Sequence, residues 1–232
     1  MCKSSADDSF LDKEFWFKNV QHKKYADRFD LKFKSTAPAN FYRELFPIGS
    51  FEEKMGKMES YPKTNKGNGI LVYRTKNNRM HTRLVFDNHF EIYDNLRNDC
   101  VFMSPIAYFG KNRTLKNARF LYALTFDLDE CFPENLWLLF TFWSTRTPKP
   151  TYVVNSGDGI HLYYFFDEPI PLYPQVQKRL NILKNALTDL IWNTDTSALE
   201  KKQYQSINQG FRLVGSGTKR GYTVTAWKFG DG

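Results

Sequence analysis

Two carboxylates, Asp127 and Asp129, stand one residue apart at the end of the apolar run ARFLYALTFDLDE. In an extended strand, side chains two apart share a face, so both acids project together. Like charges so placed repel unless a cation lies between them, and oxygen ligands suit Mg²⁺ or Mn²⁺. A strand end can also carry acids merely to keep an edge in water, so the pair does not decide the matter alone.

Two further stretches bear on it. In SGDGIHLYY, Ser156 and the turn residues Gly157 and Gly159 offer backbone N–H groups, and His161 follows on the next strand; a histidine beside a hydroxyl and a glycine turn suits a triphosphate. Without the acids, a hairpin with a satisfied histidine explains the same residues. In FRLVGSGTKRG, Arg212, Ser216, Lys219 and Arg220 alternate with glycines that let phosphates approach the backbone. It is not a Walker loop, because Ser216 stands where the lysine would be. Asp195 in WNTDTS is a candidate third carboxylate, though one acid there could equally cap a turn. Carboxylates holding a divalent metal, with cationic loops around them, suit nucleotidyl transfer.

The elements that must position these residues are clearest in the second half. The chain predicts a strand over 120–128, a helix over 132–143, a strand over 150–156, a hairpin around Gly157 to Gly159, a strand from Ile160, and a helix over 172–193. That last helix is expected to bury Val176, Leu180, Leu183, Leu187, Leu190 and Ile191. Earlier, strands are expected over 70–76 and 81–88, a short helix over 89–99, and a strand-like stretch over 100–110. Helical candidates lie at 10–20, 40–46 and 51–61. The order indicates an α+β fold with an RNA-recognition-like or palm-type core at 66–232, preceded by a mostly helical N-terminal extension at 1–65.

The 232 residues, 41% apolar and 17% aromatic, are enough for such a core. No apolar stretch reaches membrane-span length and MCKSSADDSF lacks a signal-peptide core, so a cytoplasmic protein without a membrane partner is expected. Three scattered cysteines offer no disulfide framework, and His81, His89 and Cys100 lack zinc-site spacing. The net charge of +8 is concentrated. Two acid-free stretches, from Val101 to Phe126 and from Lys201 to Gly230, hold ten positive charges, among them Lys111, Arg113 and Lys116. A polyanion such as single-stranded nucleic acid is the natural partner.

FDLD, then SGDGIHLYY, then an Asp after a long helix, then FRLVGSGTK, resembles the archaeo-eukaryotic primase superfamily, in particular its primase-polymerase branch from plasmids, phages and mobile elements. The resemblance spans about residues 100–222. It implies that Asp127, Asp129 and Asp195 ligate Mg²⁺ or Mn²⁺ at a two-metal site, with Asp189 and Glu200 as fallbacks for the third. It implies that Ser156, His161, Arg212, Gly215, Ser216 and Lys219 lie near the nucleotide phosphates or the template. It further implies template-directed primer synthesis or extension on single-stranded DNA from nucleoside triphosphates, with a replicative helicase or C-terminal accessory region as a further partner. A non-catalytic single-stranded-DNA-binding initiator on the same fold and a metal-dependent nuclease are the alternatives.

Overall fold

The computed structural model describes residues 34–54, 66–75, 77, 79–88, 101–131, 135, 139, 147–157, 159–193, 196, 197, 199, 201–218 and 221–229. They build two antiparallel sheets. The larger is ordered β1 (Ser35–Thr36), β10 (Thr225–Lys228), β7 (Tyr152–Asn155), β8 (Gly159–Pro171), β6 (Ala118–Asp129), β5 (Ile106–Tyr108). The smaller is ordered β3 (Met80–Val85), β2 (Gly69–Arg74), β4 (Val101–Met103), β9 (Phe211–Arg212). A 3-10 turn (Leu115–Asn117) precedes β6, and two α-helices complete the described elements, α1 (Pro38–Leu45) and α2 (Pro174–Ile191), each opened by a proline whose missing N–H costs nothing at a helix start.

Strands β6 and β8 form the spine. Their apolar residues alternate, so each face of the larger sheet buries its own set. Leu124, Phe126, Leu128, Ile160 and Leu162 join a core with Leu180 and Ile191 of α2. Tyr163 and Val154 join a second core with Leu71, Val85, Met103 and Phe211 of the smaller sheet and with Phe41 and Tyr42 of α1. The acids of β6 belong to that second face, between the sheets. Residues 34–54, within the stretch expected to be an N-terminal extension, thus contribute a strand and four wholly buried aromatic side chains, Phe41, Tyr42, Phe46 and Phe51, to the same core.

Register along the spine changes once. Phe120 and Leu121 pair with Pro171 and Ile170, whereas Ala123 through Asp129 pair with Phe165 through Gly159. The irregularity between Leu121 and Ala123 leaves residues 166–169 of β8 without partners on β6.

The strands expected over 120–128 and 150–156 and the 157–159 hairpin are present, as are the two expected near 70 and 81. The 100–110 stretch is two short strands rather than one. The helices expected at 10–20 and 89–99, and nearly all of those at 51–61 and 132–143, lie outside the described residues. One expectation is corrected: α2 buries Leu180, Lys184, Thr188 and Ile191, while Leu183 and Leu190 are 48% and 40% exposed. The helix packs along its i, i+4 row through 180, 184 and 188, so a lysine stem and a backbone-bonded threonine are buried in place of Leu183 and Leu190.

Candidate functional site

Antiparallel pairing sets Asp127 directly opposite His161, and Asp129 opposite Gly159. The histidine Nε2 stands 3.3 Å from Asp127 Oδ1. Gly159 is required there, since a Cβ would run into the carbonyl of Leu128 and the Cα of Asp129. The hairpin is closed by Ser156, whose N–H and hydroxyl both donate to the Gly159 carbonyl at 3.1 Å. Gly157, at φ +110°, donates its N–H to the Asn155 side chain.

Asp127, Asp129, Ser156 and His161 line one cleft of about 160 Å³ together with Phe102, Gln209, Gly210, Phe211 and Arg212. The last two come from β9, so the cleft lies where the smaller sheet meets the acids of the larger. Arg212 is delivered by pairing with Phe102, over whose ring its guanidinium sits at 5.6 Å. Arg113 approaches the same wall, because a Cβ at Gly210 would meet its guanidinium.

Electrostatics inside the cleft follow from burial. Burial raises the Asp127 carboxyl to about 6, opposed by the positive charges of Arg212 and Lys184. His161 is lowered to about 3 by burial and by Arg212, with Asp129 opposing, so its ring is neutral at pH 7. Lys184, behind the site on α2, is lowered to about 7 by burial, with Asp127 opposing. Its ammonium lies 5.7 Å and 5.4 Å from the centroids of Phe126 and Phe211 and donates to the Ser206 carbonyl at 3.2 Å.

The donors of the cleft suit a divalent cation in part. Among the described residues, Asp127 Oδ1, His161 Nδ1 and Arg212 Nη1 are buried without hydrogen-bond partners, although His161 Nε2 lies 3.3 Å from the Asp127 oxygen. Two carboxylates on one strand face suit the oxygen preference of Mg²⁺ or Mn²⁺. Among the described residues, however, no group of three or more His, Cys, Asp or Glu side chains is arranged to hold a metal. Asp195, Glu200, Lys219 and Arg220 lie outside the described residues. Asp189 is on the exposed face of α2, engaged by Lys202 at 2.8 Å and by the Tyr204 hydroxyl at 2.6 Å.

Other expected residues fall elsewhere. Ser216 is buried and donates to the Leu213 carbonyl at 2.7 Å, holding the turn of the glycine-serine loop rather than lining the cleft. That loop rests on α1: the Tyr42 hydroxyl accepts from the Val214 N–H at 2.8 Å, and a Cβ at Gly215 would strike Pro38. Lys111 and Lys116 are exposed on the connection between β5 and β6. Three residues near the acids are not apparent in the sequence reading: Lys184, Gln209 and Gln205. The Gln205 carboxamide accepts from the Asp127 N–H and donates to the Asp127 carbonyl, both at 3.2 Å, covering an edge of β6 that β5 does not reach. Lys184 alone left a signal, a charged residue at i+4 from Leu180 on a helix face that must be buried.

No protein-family model and no curated protein matches the chain. Among solved structures it is similar to the AEP domain of the cyanophage S-2L primase-polymerase (PrimPol), with a TM-score of 0.52 and 12% sequence identity, covering 84% of this chain and 89% of that one. The chain therefore shares the mixed α/β fold of that domain.

Proposed function

We propose that the protein is a template-directed nucleotidyltransferase that makes or extends primers on single-stranded DNA. The observation that carries this reading is the single cleft in which Asp127, Asp129, His161 and Arg212 converge from two sheets. The fold, shared with a primase-polymerase domain, supports it. In the reaction, a primer 3′ oxygen forms a bond to the α-phosphorus of a nucleoside triphosphate and pyrophosphate leaves.

Asp127 and Asp129 would hold Mg²⁺ or Mn²⁺, with Asp195 as the third candidate ligand, and the cation would neutralise phosphate charge and activate the 3′ hydroxyl. The chain's own groups do the rest. Arg212 brings a permanent positive charge with one buried donor unspent, suited to a phosphate oxygen. His161, neutral at pH 7, can donate one N–H to the triphosphate without adding charge. Phe102 and Phe211 exclude water from one side of the cleft and so strengthen these contacts. Lys219 and Arg220 on the glycine-serine loop are further candidates for phosphate contact, and Lys111, Arg113 and Lys116 for contact with the template. A helicase or accessory region would supply the second nucleotide site that initiation requires.

The test is incorporation of labelled nucleotides on single-stranded DNA with Mg²⁺ or Mn²⁺, with and without an annealed primer, beside Asp127→Ala. The expected result is product that disappears in the variant while DNA binding persists. Tight DNA binding with no product under any condition would replace this reading with the non-catalytic initiator. Degradation of the DNA instead of extension would replace it with the nuclease.

A further inference from the structure

The edge hairpin of the smaller sheet carries a feature that the cleft does not use. From Lys66 to Phe86 the chain contains no acid, and its basic residues include Arg74, Arg79 and Arg83. Strands β2 and β3 pair Leu71 with Arg83 and Tyr73 with His81. Side chains two apart share a face, so His81 and Arg83 lie on one face of β3 about 6.8 Å apart, and Arg79 extends the stripe from the residue just before the strand. All three are exposed. His81 stacks on Tyr73, with ring centroids 5.8 Å apart and planes within 25°. Arg74 lies on the opposite face, paired with Met80.

That stripe lies on the same sheet as the cleft wall, three strands away. Register links Arg83 to Leu71, Leu71 to Met103 and Met103 to Phe211, one row across all four strands. Phe211 lines the cleft and its ring stands 5.3 Å from that of His161. Three strand spacings put Arg83 about 14 Å from Phe211, roughly four nucleotide steps at the rise of a stacked strand. Leu71, Met103 and Phe211 of this row are buried between the sheets, so the row sets the distance from β3 to the cleft and is not itself the path of the strand.

The geometry points to the β3 stripe as a track for the single-stranded DNA template on its way to the cleft. This assignment rests on the primase-polymerase reading and names the surface its template would occupy. Arg79 and Arg83 neutralise backbone phosphates on either side of the base whose face the His81 ring, backed by Tyr73, takes. A duplex offers no such face along its length, which favours the single strand.

The test is fluorescence anisotropy of the full chain with a labelled single-stranded oligonucleotide, titrated at several salt concentrations. Arg79→Ala/Arg83→Ala is expected to weaken binding several-fold and to flatten the slope of log K against log salt by about 1.4, two phosphate contacts at about 0.7 each. His81→Ala should lower affinity about tenfold with little change in slope. Arg74→Ala, on the other face, should leave both unchanged. Equal slopes in the parent and the double variant would overturn the track and leave the arginines as guards of an exposed edge strand. An equal loss in Arg74→Ala would reduce the stripe to general surface charge, also against it. A loss seen only with duplex oligonucleotide would assign the hairpin to the product helix and overturn the template assignment. Failure of the parent itself to bind single-stranded DNA would instead count against the primase-polymerase reading.

Discussion

Asp127 sits where its own charge is costly. Burial lifts its carboxyl from 3.8 to about 6, and the nearby guanidinium and ammonium recover only part of that. Below pH 3.8 the folded and unfolded chains both hold this carboxyl protonated and folding carries no penalty. Between 3.8 and about 6 the folded chain holds the proton more firmly, so stability falls as pH rises, and above about 6 the penalty is complete. In metal-free buffer Asp127→Asn should therefore stabilise the fold at pH 7 by about 1–3 kcal/mol, with the gain shrinking towards pH 4, while incorporation is lost. Denaturant unfolding at pH 7 and pH 4.5 checks this; a variant less stable at pH 7 would show that the carboxylate is a net support of the fold. The arrangement is the familiar exchange of stability for a charge held ready in a dry site.

At the scale of the element, α2 carries a second buried charge. Lys184 is held at about 7 against 10.5 in the unfolded chain, so the unfolded chain binds the proton more strongly across that window. The cost is full below about pH 7 and fades as pH rises towards 10.5. Lys184→Met keeps the stem and removes the ammonium, and should raise stability at pH 6 by about 1–3 kcal/mol with no gain near pH 10.5. Thermal or denaturant unfolding across that range decides it; a loss at pH 6 would mean that the bond to the Ser206 carbonyl and the two ring contacts outweigh desolvation. The same helix shows what a sequence can reveal. Its length and its opening at Pro174 follow from local periodicity, as do the spine strands and the facing of Asp127 and Asp129. The face it buries does not, because leucines at 183 and 190 and a lysine at 184 give a misleading stripe that only packing resolves. Gln205 is invisible for a stricter reason: its two bonds to the Asp127 backbone span 78 residues and leave no local pattern. Strand β9, two residues long, is set by its partner β4 rather than by any alternation of its own.

Across the whole molecule, α1 ties the two sheets together. Phe41 is fully buried, with ring centroids 4.9 Å from Tyr152, 5.2 Å from Tyr163 and 5.7 Å from Phe165. Phe41→Ala should cost about 3–5 kcal/mol, measured by denaturant unfolding; a cost below 1 kcal/mol would show that residues 34–54 are dispensable to the core. The spine has a different whole-molecule consequence. Because β6 changes register between Leu121 and Ala123, its anchoring end and its acid-bearing end are fixed to β8 independently. Insertions or deletions in the unpaired 166–169 stretch lengthen or shorten only the slack between those two clamps. A single residue gained or lost between Ala123 and Asp127 would turn both acids from the cleft towards α2. Descendants of this chain are thus free to vary in length on one side of that kink and are barred from doing so on the other.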